Sequence, residues 1–198
     1  MKDKILKKAI DLFLNYGFKS VTMDDIAKEL AISKKTIYSH FSTKFKLVKA
    51  STFYAFEQIN SGICEICSLN KNPIEEIYSI KSLIQEQLKG EKNSPQYQLQ
   101  KYYPKIFEVL KQKQFESVSE CVTGNLKKGI NQGFYRKDLD INLITRLYFN
   151  GIMGIKNVDL FPLEEFSSSY LMNHYLEYHV RAISTEKGLK ILKEINKK

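Results

Sequence analysis

The 198-residue chain is poor in cysteine, proline, glycine and histidine, and each scarcity removes a class of protein. Three cysteines are too few, and odd in number, for a disulfide framework. Three histidines give no convincing acid–base constellation. There is also no Gly-rich phosphate loop, no pair of metal ligands at useful spacing and no nucleophile elbow. No catalytic residue, metal ligand or cofactor is therefore expected. No apolar run reaches the roughly 18 residues of a membrane-spanning helix. The most apolar stretch, Ile141 to Ile155, carries Arg146. Met1-Lys2-Asp3-Lys4 leads into an amphipathic segment rather than a secretory signal. A cytoplasmic protein with no membrane partner is the expectation.

What is present describes a helical globular protein with a basic head. At 43% hydrophobic and 27% charged residues, the composition is that of a chain with a real core rather than a disordered one. The length suits one or two domains. The net charge is +9, and it is unevenly spread. Residues 1–50 hold 11 lysines against 5 acidic residues, so this quarter carries +6 and all the rest only +3. Concentrated positive charge favours a polyanionic partner.

Apolar residues recur at three- and four-residue intervals almost throughout, and no segment alternates for long with period two. About ten helices are expected. The first presents Ile5, Leu6, Ala9, Leu12, Phe13 and Tyr16 on one face and ends at Gly17. The next three cover Thr22–Leu30, Ser33–Phe41 and about Thr43–Cys67. Pro73 is placed to open a fifth helix, Ile74–Leu88. Gly90–Gln96 reads as an exposed loop. A sixth helix, Gln98–Leu110, is disturbed at Pro104, and a seventh runs about Gln112–Gln132. Asp140 can cap an eighth that extends to about Lys156. The ninth and tenth cover about Leu163–Ile183 and Glu186–Ile195.

The sharpest signal is local. Thr22-Met23-Asp24-Asp25 fits a capping box, with Thr22 accepting from the Asp25 amide while the Asp25 carboxylate reaches back. Ile26, Ala27 and Leu30 form the inward face of that short helix. Only Ala31 and Ile32 remain before Ser33, the N-cap of the next. Two short helices across a tight turn, with small Ala27 allowing close approach, outline a helix-turn-helix. On the following helix Ile37 and Phe41 point inward. Lys34, Lys35, Tyr38, Ser39 and His40 fall on other faces, and the first turn would lie nearest base edges in a major groove. Lysines suit phosphates or guanine acceptors; Ser33, Thr36 and Ser39 can donate or accept; Tyr38 and His40 can reach the backbone. Lys44 can extend the footprint.

These residues, from Val21-Thr22-Met23-Asp24-Asp25-Ile26-Ala27 to Ser33-Lys34-Lys35-Thr36-Ile37-Tyr38-Ser39-His40-Phe41 and Lys44, resemble the TetR family of bacterial transcriptional regulators over about residues 5–50. The resemblance implies an all-α fold. Residues 1–48 would form a three-helix DNA-binding domain, and residues 49–198 a larger helical domain for effector binding and dimerisation. It further implies a homodimer on a near-palindromic operator and an effector that weakens DNA binding. The DNA-contacting residues are then Thr22, Ser33, Lys34, Lys35, Thr36, Tyr38, Ser39, His40 and Lys44. Two positions depart from the family. Ala31 stands where Gly is frequent, so it must avoid positive φ or bear strain. Phe45 stands where Glu is frequent, so with Ser42 as N-cap the reciprocal carboxylate is missing.

The larger domain is less legible. The eighth helix carries Ile144, Tyr148, Gly151, Ile152 and Ile155 at helical spacing, and Gly151 and Gly154 would admit another backbone. The ninth carries Phe166, Tyr170, Asn173, His174, Glu177, Tyr178 and Arg181. By resemblance these helices pair with their copies across a two-fold axis, through Tyr148, Gly151, Ile152, Ile155, Phe166, Tyr170, His174, Glu177, Tyr178 and Arg181. The alternative is that the stripes serve only the core. The many aromatics between the fifth and eighth helices suggest a small-molecule site lined by Tyr102, Tyr103, Phe107, Phe149 and Met153, with a lipophilic or aromatic effector. The expected function is a ligand-released repressor. Its rival is a redox- or metal-responsive regulator using Cys64 and Cys67, which share a helix face. Against that rival, buried and inert cysteines are the simpler reading.

Overall fold

The computed structural model describes residues 1–87 and 95–197. Ten helices form among them: α1 (Lys2–Tyr16), α2 (Met23–Glu29), α3 (Lys34–His40), α4 (Lys44–Ser68), α5 (Pro73–Gln87), α6 (Pro95–Tyr102), α7 (Pro104–Asn131), α8 (Ile141–Gly154), α9 (Ser168–Ile183) and α10 (Glu186–Ile195). The only β-type pairing among the described residues is an isolated antiparallel bridge between Tyr135 and Ser184. The fold is all-α, with the helix-turn-helix at the N-terminal end.

The chain divides into two compact units, and neither is continuous in sequence. The first comprises residues 1–61 and 87–111, the second 62–86 and 112–198. In the first unit α1 packs on α2, and α2 on α3. Ile5, Ala9, Phe13, Phe18, Ile26, Ile37, Phe41, Leu47 and Val48 are buried there, joined by Leu99, Ile106 and Phe107 from the second segment. Phe13 and Phe18 stack at 5.1 Å between ring centroids. In the second unit a core of Ile74, Ile77, Val122, Leu126, Tyr135, Tyr148, Leu176, Val180, Ile183 and Leu192 draws on α5 and α7 to α10.

A buried polar pin crosses this second core. Glu76 of α5 accepts from the Asn125 side chain at 2.8 Å and the Lys128 ammonium at 2.9 Å. Asn125 also donates to the Pro73 carbonyl and accepts from the Tyr135 hydroxyl. Every member has a partner, so the charge can stay buried without an orphaned group. Gly129 makes room for the Tyr135 ring, into which any Cβ at that position would run.

Several boundaries differ from the sequence-based expectation. Pro104 takes the first position of a single 28-residue helix instead of disturbing one, because a first-turn proline forfeits no intrahelical bond. Lys111 lies inside that helix, with no residue there to break it. Of the expected loop Gly90–Gln96, residues 90–94 lie outside the described residues, while Pro95 and Gln96 begin α6. Leu88, the expected end of the fifth helix, also lies outside them. Helix α9 starts at Ser168, since Ser167 caps it by accepting from the Tyr170 amide at 3.2 Å. The N-terminal cap of α4 is Thr43, not Ser42: the Lys46 amide donates to Thr43 Oγ1 at 3.2 Å. Phe45 is therefore the second helical residue, and the third is Lys46.

His179 is buried in α9, 4.7 Å from the Tyr148 ring. Burial alone pushes its pKa down from 6.5 to about 4. The unfolded chain binds this proton first, so the stability present above pH 6.5 is lost progressively as pH falls toward 4. The loss at pH 4.5 should be about 2–3 kcal/mol. Urea denaturation of the wild type and His179→Phe at pH 7 and pH 4.5 checks this, because the variant lacks that pH-dependent component.

Candidate nucleic-acid interface

The recognition unit is assembled from local chemistry. Thr22 and Asp25 form the capping box: the Thr22 amide and hydroxyl both donate to Asp25 Oδ2 at 2.8 Å, and the Asp25 amide donates to Thr22 Oγ1 at 3.2 Å. The bond from the Thr22 amide, followed by that from its hydroxyl, holds the Asp25 carboxyl below its usual pKa. Helix α2 ends in a Schellman turn: the Ile32 amide reaches the Ala27 carbonyl at 3.0 Å and the Ala31 amide the Lys28 carbonyl at 3.1 Å. That turn needs a left-handed residue, and Ala31 supplies it at φ 51°. The departure from glycine is therefore met by bearing strain.

Ser33 caps α3 by accepting from the Thr36 amide at 3.1 Å, and its hydroxyl also bonds that of Thr36 at 2.8 Å. Ile37 is fully buried, while Lys34, Lys35, Tyr38, Ser39 and His40 are exposed. The helix thus presents one polar, basic face to solvent. Among the expected DNA-binding residues, Thr22 and Ser33 hold helix ends. Ser39 donates to the Thr36 carbonyl. Lys34 is ion-paired with Asp24 at 2.7 Å, a contact across α2 and α3 that sequence reasoning missed. Lys44 donates to the Lys19 carbonyl at 3.0 Å, which ties the start of α4 to the turn after α1. Its partial burial lowers its pKa.

A second missed feature is the docking of α6 within this unit. The Phe18 amide donates to Gln98 Oε1 at 2.9 Å, beside Gly17 at φ 90°. A Cβ on Gly17 would meet that oxygen at 2.5 Å. The Tyr103 ring lies 6.3 Å from Phe18 and 6.2 Å from Phe45, so Phe45 has an aromatic neighbour in place of a capping role. Lys19 sits over the Tyr102 ring at 5.4 Å.

The five expected effector-lining residues are divided between the two units. Tyr102, Tyr103 and Phe107 belong to the first unit, with Phe107 buried. Phe149 and Met153 belong to the second, where Phe149 meets Phe115 edge-on at 5.2 Å. Of the expected dimer residues, Tyr148 is buried in the second core, while Ile152, Ile155, Phe166 and Glu177 are half-buried. Gly151 receives Tyr175 of the same chain, whose hydroxyl donates to the Tyr148 carbonyl at 2.9 Å. Tyr170 and Tyr178 are exposed, with the His174 ring tilted against Tyr170 at 4.2 Å between centroids and Arg181 paired with Glu177. Leu143 and Leu147 of α8, absent from the expected set, are also more than half exposed.

Cys64 is exposed and Cys67 half-buried. The Cys121 thiol, from α7, lies beside that of Cys67. Burial pushes the Cys121 thiol up to about 12 and raises that of Cys67 too. Among the described residues, no group of three or more His, Cys, Asp or Glu is placed to hold a metal ion. No helix among them is long and apolar enough to cross a membrane.

Two exchanges probe the turns of this unit. Ala31→Gly should stabilise the protein by about 0.5–1 kcal/mol by relieving the left-handed backbone. Gly17→Ala should destabilise it by about 1–3 kcal/mol, since φ 90° with ψ 149° is a glycine conformation. Urea midpoints moving in opposite directions are the expected result.

Residues 5–51 match the family described as "Bacterial regulatory proteins, tetR family". The biofilm operon icaADBC HTH-type negative transcriptional regulator IcaR of Staphylococcus aureus (strain Newman) is 39% identical over 85 residues, 43% of this chain and 42% of IcaR. The match thus spans less than half the length of that relative. The IcaR of Staphylococcus epidermidis is 39% identical over 56 residues, 28% of this chain and 30% of that protein. A TetR-family transcriptional regulator from Agrobacterium tumefaciens superposes with a TM-score of 0.74 at 18% identity, covering 93% of this chain and 97% of that one. A TetR transcriptional regulator from Legionella pneumophila gives 0.72 at 18% identity, covering 93% and 97%. Residues 5–51 of this chain thus match the tetR family of bacterial regulatory proteins, and the fold is one that those structures share.

Proposed function

We propose that the protein is a transcriptional repressor that binds a near-palindromic operator as a homodimer and is released by a small-molecule effector. The observation that carries this reading is the exposed Lys35-Tyr38-Ser39-His40 face of α3, held out by a helix capped at Ser33 and anchored through buried Ile37. A short capped helix of this kind fits a major groove with its first turn toward the bases. The +6 charge of residues 1–50 supplies the sequence-independent part of the affinity. Repression is supported by the similarity to IcaR, which is described as a negative regulator.

The dimer reading rests on apolar side chains that the monomer leaves in water. Leu143 and Leu147 lie one turn apart on α8, and Tyr170 and Tyr178 two turns apart on α9, which packs beside it. Leu160 and Leu163, between those helices, are exposed too. A patch of this kind, made from one chain and facing its copy, suits a two-fold interface. The half-sites would then be contacted about 34 Å apart, or a multiple of that spacing.

The effector reading rests on α6 and Tyr103, the residue that joins it to α7. Gln98 and Tyr103 are docked on the α1–α2 turn and the start of α4, so a ligand that alters α6 alters the footing of the DNA head. A tenfold change in operator occupancy needs about 1.4 kcal/mol of differential affinity between the two states. Against the redox rival stands Cys67, one of its two cysteines, whose thiol burial holds above its usual pKa so that it forms little thiolate near neutrality.

Fluorescence anisotropy with a labelled duplex from upstream of the protein's own gene tests the DNA reading. Affinity should fall by orders of magnitude between about 50 and 200 mM salt. Lys35→Ala should reduce the slope of log affinity against log salt by about 1 for each phosphate that the lysine neutralises in the wild type, and Tyr38→Ala should weaken binding. A flat salt response with both variants silent would overturn the proposal.

A further inference from the structure

Resting on the DNA-binding reading, we infer that Asp24 is a specificity-determining residue: it holds Lys34 in an intramolecular ion pair that DNA must displace. Lys34 Nζ lies 2.7 Å from Asp24 Oδ1 and 2.7 Å from Oδ2, so the ammonium is shared by both carboxylate oxygens. The pair joins the first turn of α2 to the first residue of α3, the end of the recognition helix that faces the groove. Both side chains are more than half exposed, so phosphates can compete for the lysine. Lys35, its neighbour, is exposed and has no such carboxylate partner among the described residues. The two adjacent lysines are therefore unequal: one is available to any phosphate, the other is occupied.

The consequence is a filter on sequence. A free lysine gains from any phosphate it meets, whatever the bases, because counterion release is blind to sequence. Lys34 gains only where DNA offers more than Asp24 does, for example guanine O6 and N7 together with a well-registered phosphate. On other sequences the pair persists, and Lys34 adds nothing to the counterion release. An exposed ion pair is individually weak, typically below about 1 kcal/mol, so it can be displaced without preventing operator binding. Asp25 does not share this task, because its carboxylate is engaged by Thr22.

The test uses the full chain and two probes: a mixed-sequence 30-base-pair duplex, and the duplex the wild type enriches from a random-sequence library. With Asp24→Asn, affinity for the mixed-sequence duplex at about 100 mM KCl should rise roughly threefold to tenfold, and the salt slope should steepen by about 0.9 for each protomer bound. The ratio of affinities, enriched over mixed, should fall about threefold or more. The gain should vanish in D24N/K34A, which should bind the mixed-sequence duplex about as the wild type does, whereas Lys34→Ala alone, leaving Asp24 unpaired, should weaken that binding. An Asp24→Asn variant with unchanged slope and ratio overturns the inference, as does a gain that survives in D24N/K34A. Failure of the wild type to bind the mixed-sequence duplex even at about 20 mM KCl overturns the DNA-binding reading itself, and this inference with it. Failure to enrich any sequence, with mixed-sequence binding intact, overturns only the specificity role.

Discussion

The left-handed residue between α2 and α3 is the constraint on which the recognition unit depends. Ala31 at φ 51° closes a Schellman turn, and the chain is thereby reversed within two residues before Ser33 caps α3. Without that reversal Ile37 could not reach the interior alongside Ile26, and the polar face of α3 would have no fixed direction. An alanine can occupy the position because two backbone hydrogen bonds and two buried isoleucines outweigh a local strain of about 1–2 kcal/mol. The strain is confined to a site whose geometry the surrounding packing determines.

A second constraint acts on the other side of the same unit. The Gly17 turn is closed from outside by Gln98, whose side-chain oxygen satisfies the Phe18 amide 80 residues away in sequence. Tyr103 then packs near both Phe18 and Phe45, and Lys44 ties itself to the Lys19 carbonyl. The small unit is therefore completed by residues from a distant part of the chain. It includes Leu99, Ile106 and Phe107 in its buried set. This gives a later stretch of the sequence a physical hold on the N-terminal helices, which an independent three-helix domain would lack.

The two departures from the family pattern noted in the sequence have different outcomes. Ala31 leaves the turn geometry intact and simply bears the cost. Phe45 does more: Thr43 takes over as cap, and the phenyl ring becomes an aromatic neighbour of Tyr103. Gly151 of α8 is likewise used within the chain. Gly151 makes room for Tyr175 from the same chain, so its small size serves packing inside the second unit. The exposed apolar groups of α8 are instead Leu143 and Leu147, whose bulky side chains carry no sign of close backbone approach in the sequence.

What the sequence determined by itself was whatever depends on near neighbours along the chain. The all-helical fold, the capping box at Thr22, the caps at Ser33 and Asp140, the span of α10 and the inward Ile37 were all legible, because each rests on a spacing of three or four residues. Tertiary structure decided the partners of groups that have several plausible ones. Lys34 could equally have been a free cation, Lys44 a phosphate ligand and Cys121 an isolated thiol. Their placement beside Asp24, the Lys19 carbonyl and Cys67 follows from how helices stack, and helical periodicity fixes which face is inward without fixing what that face meets.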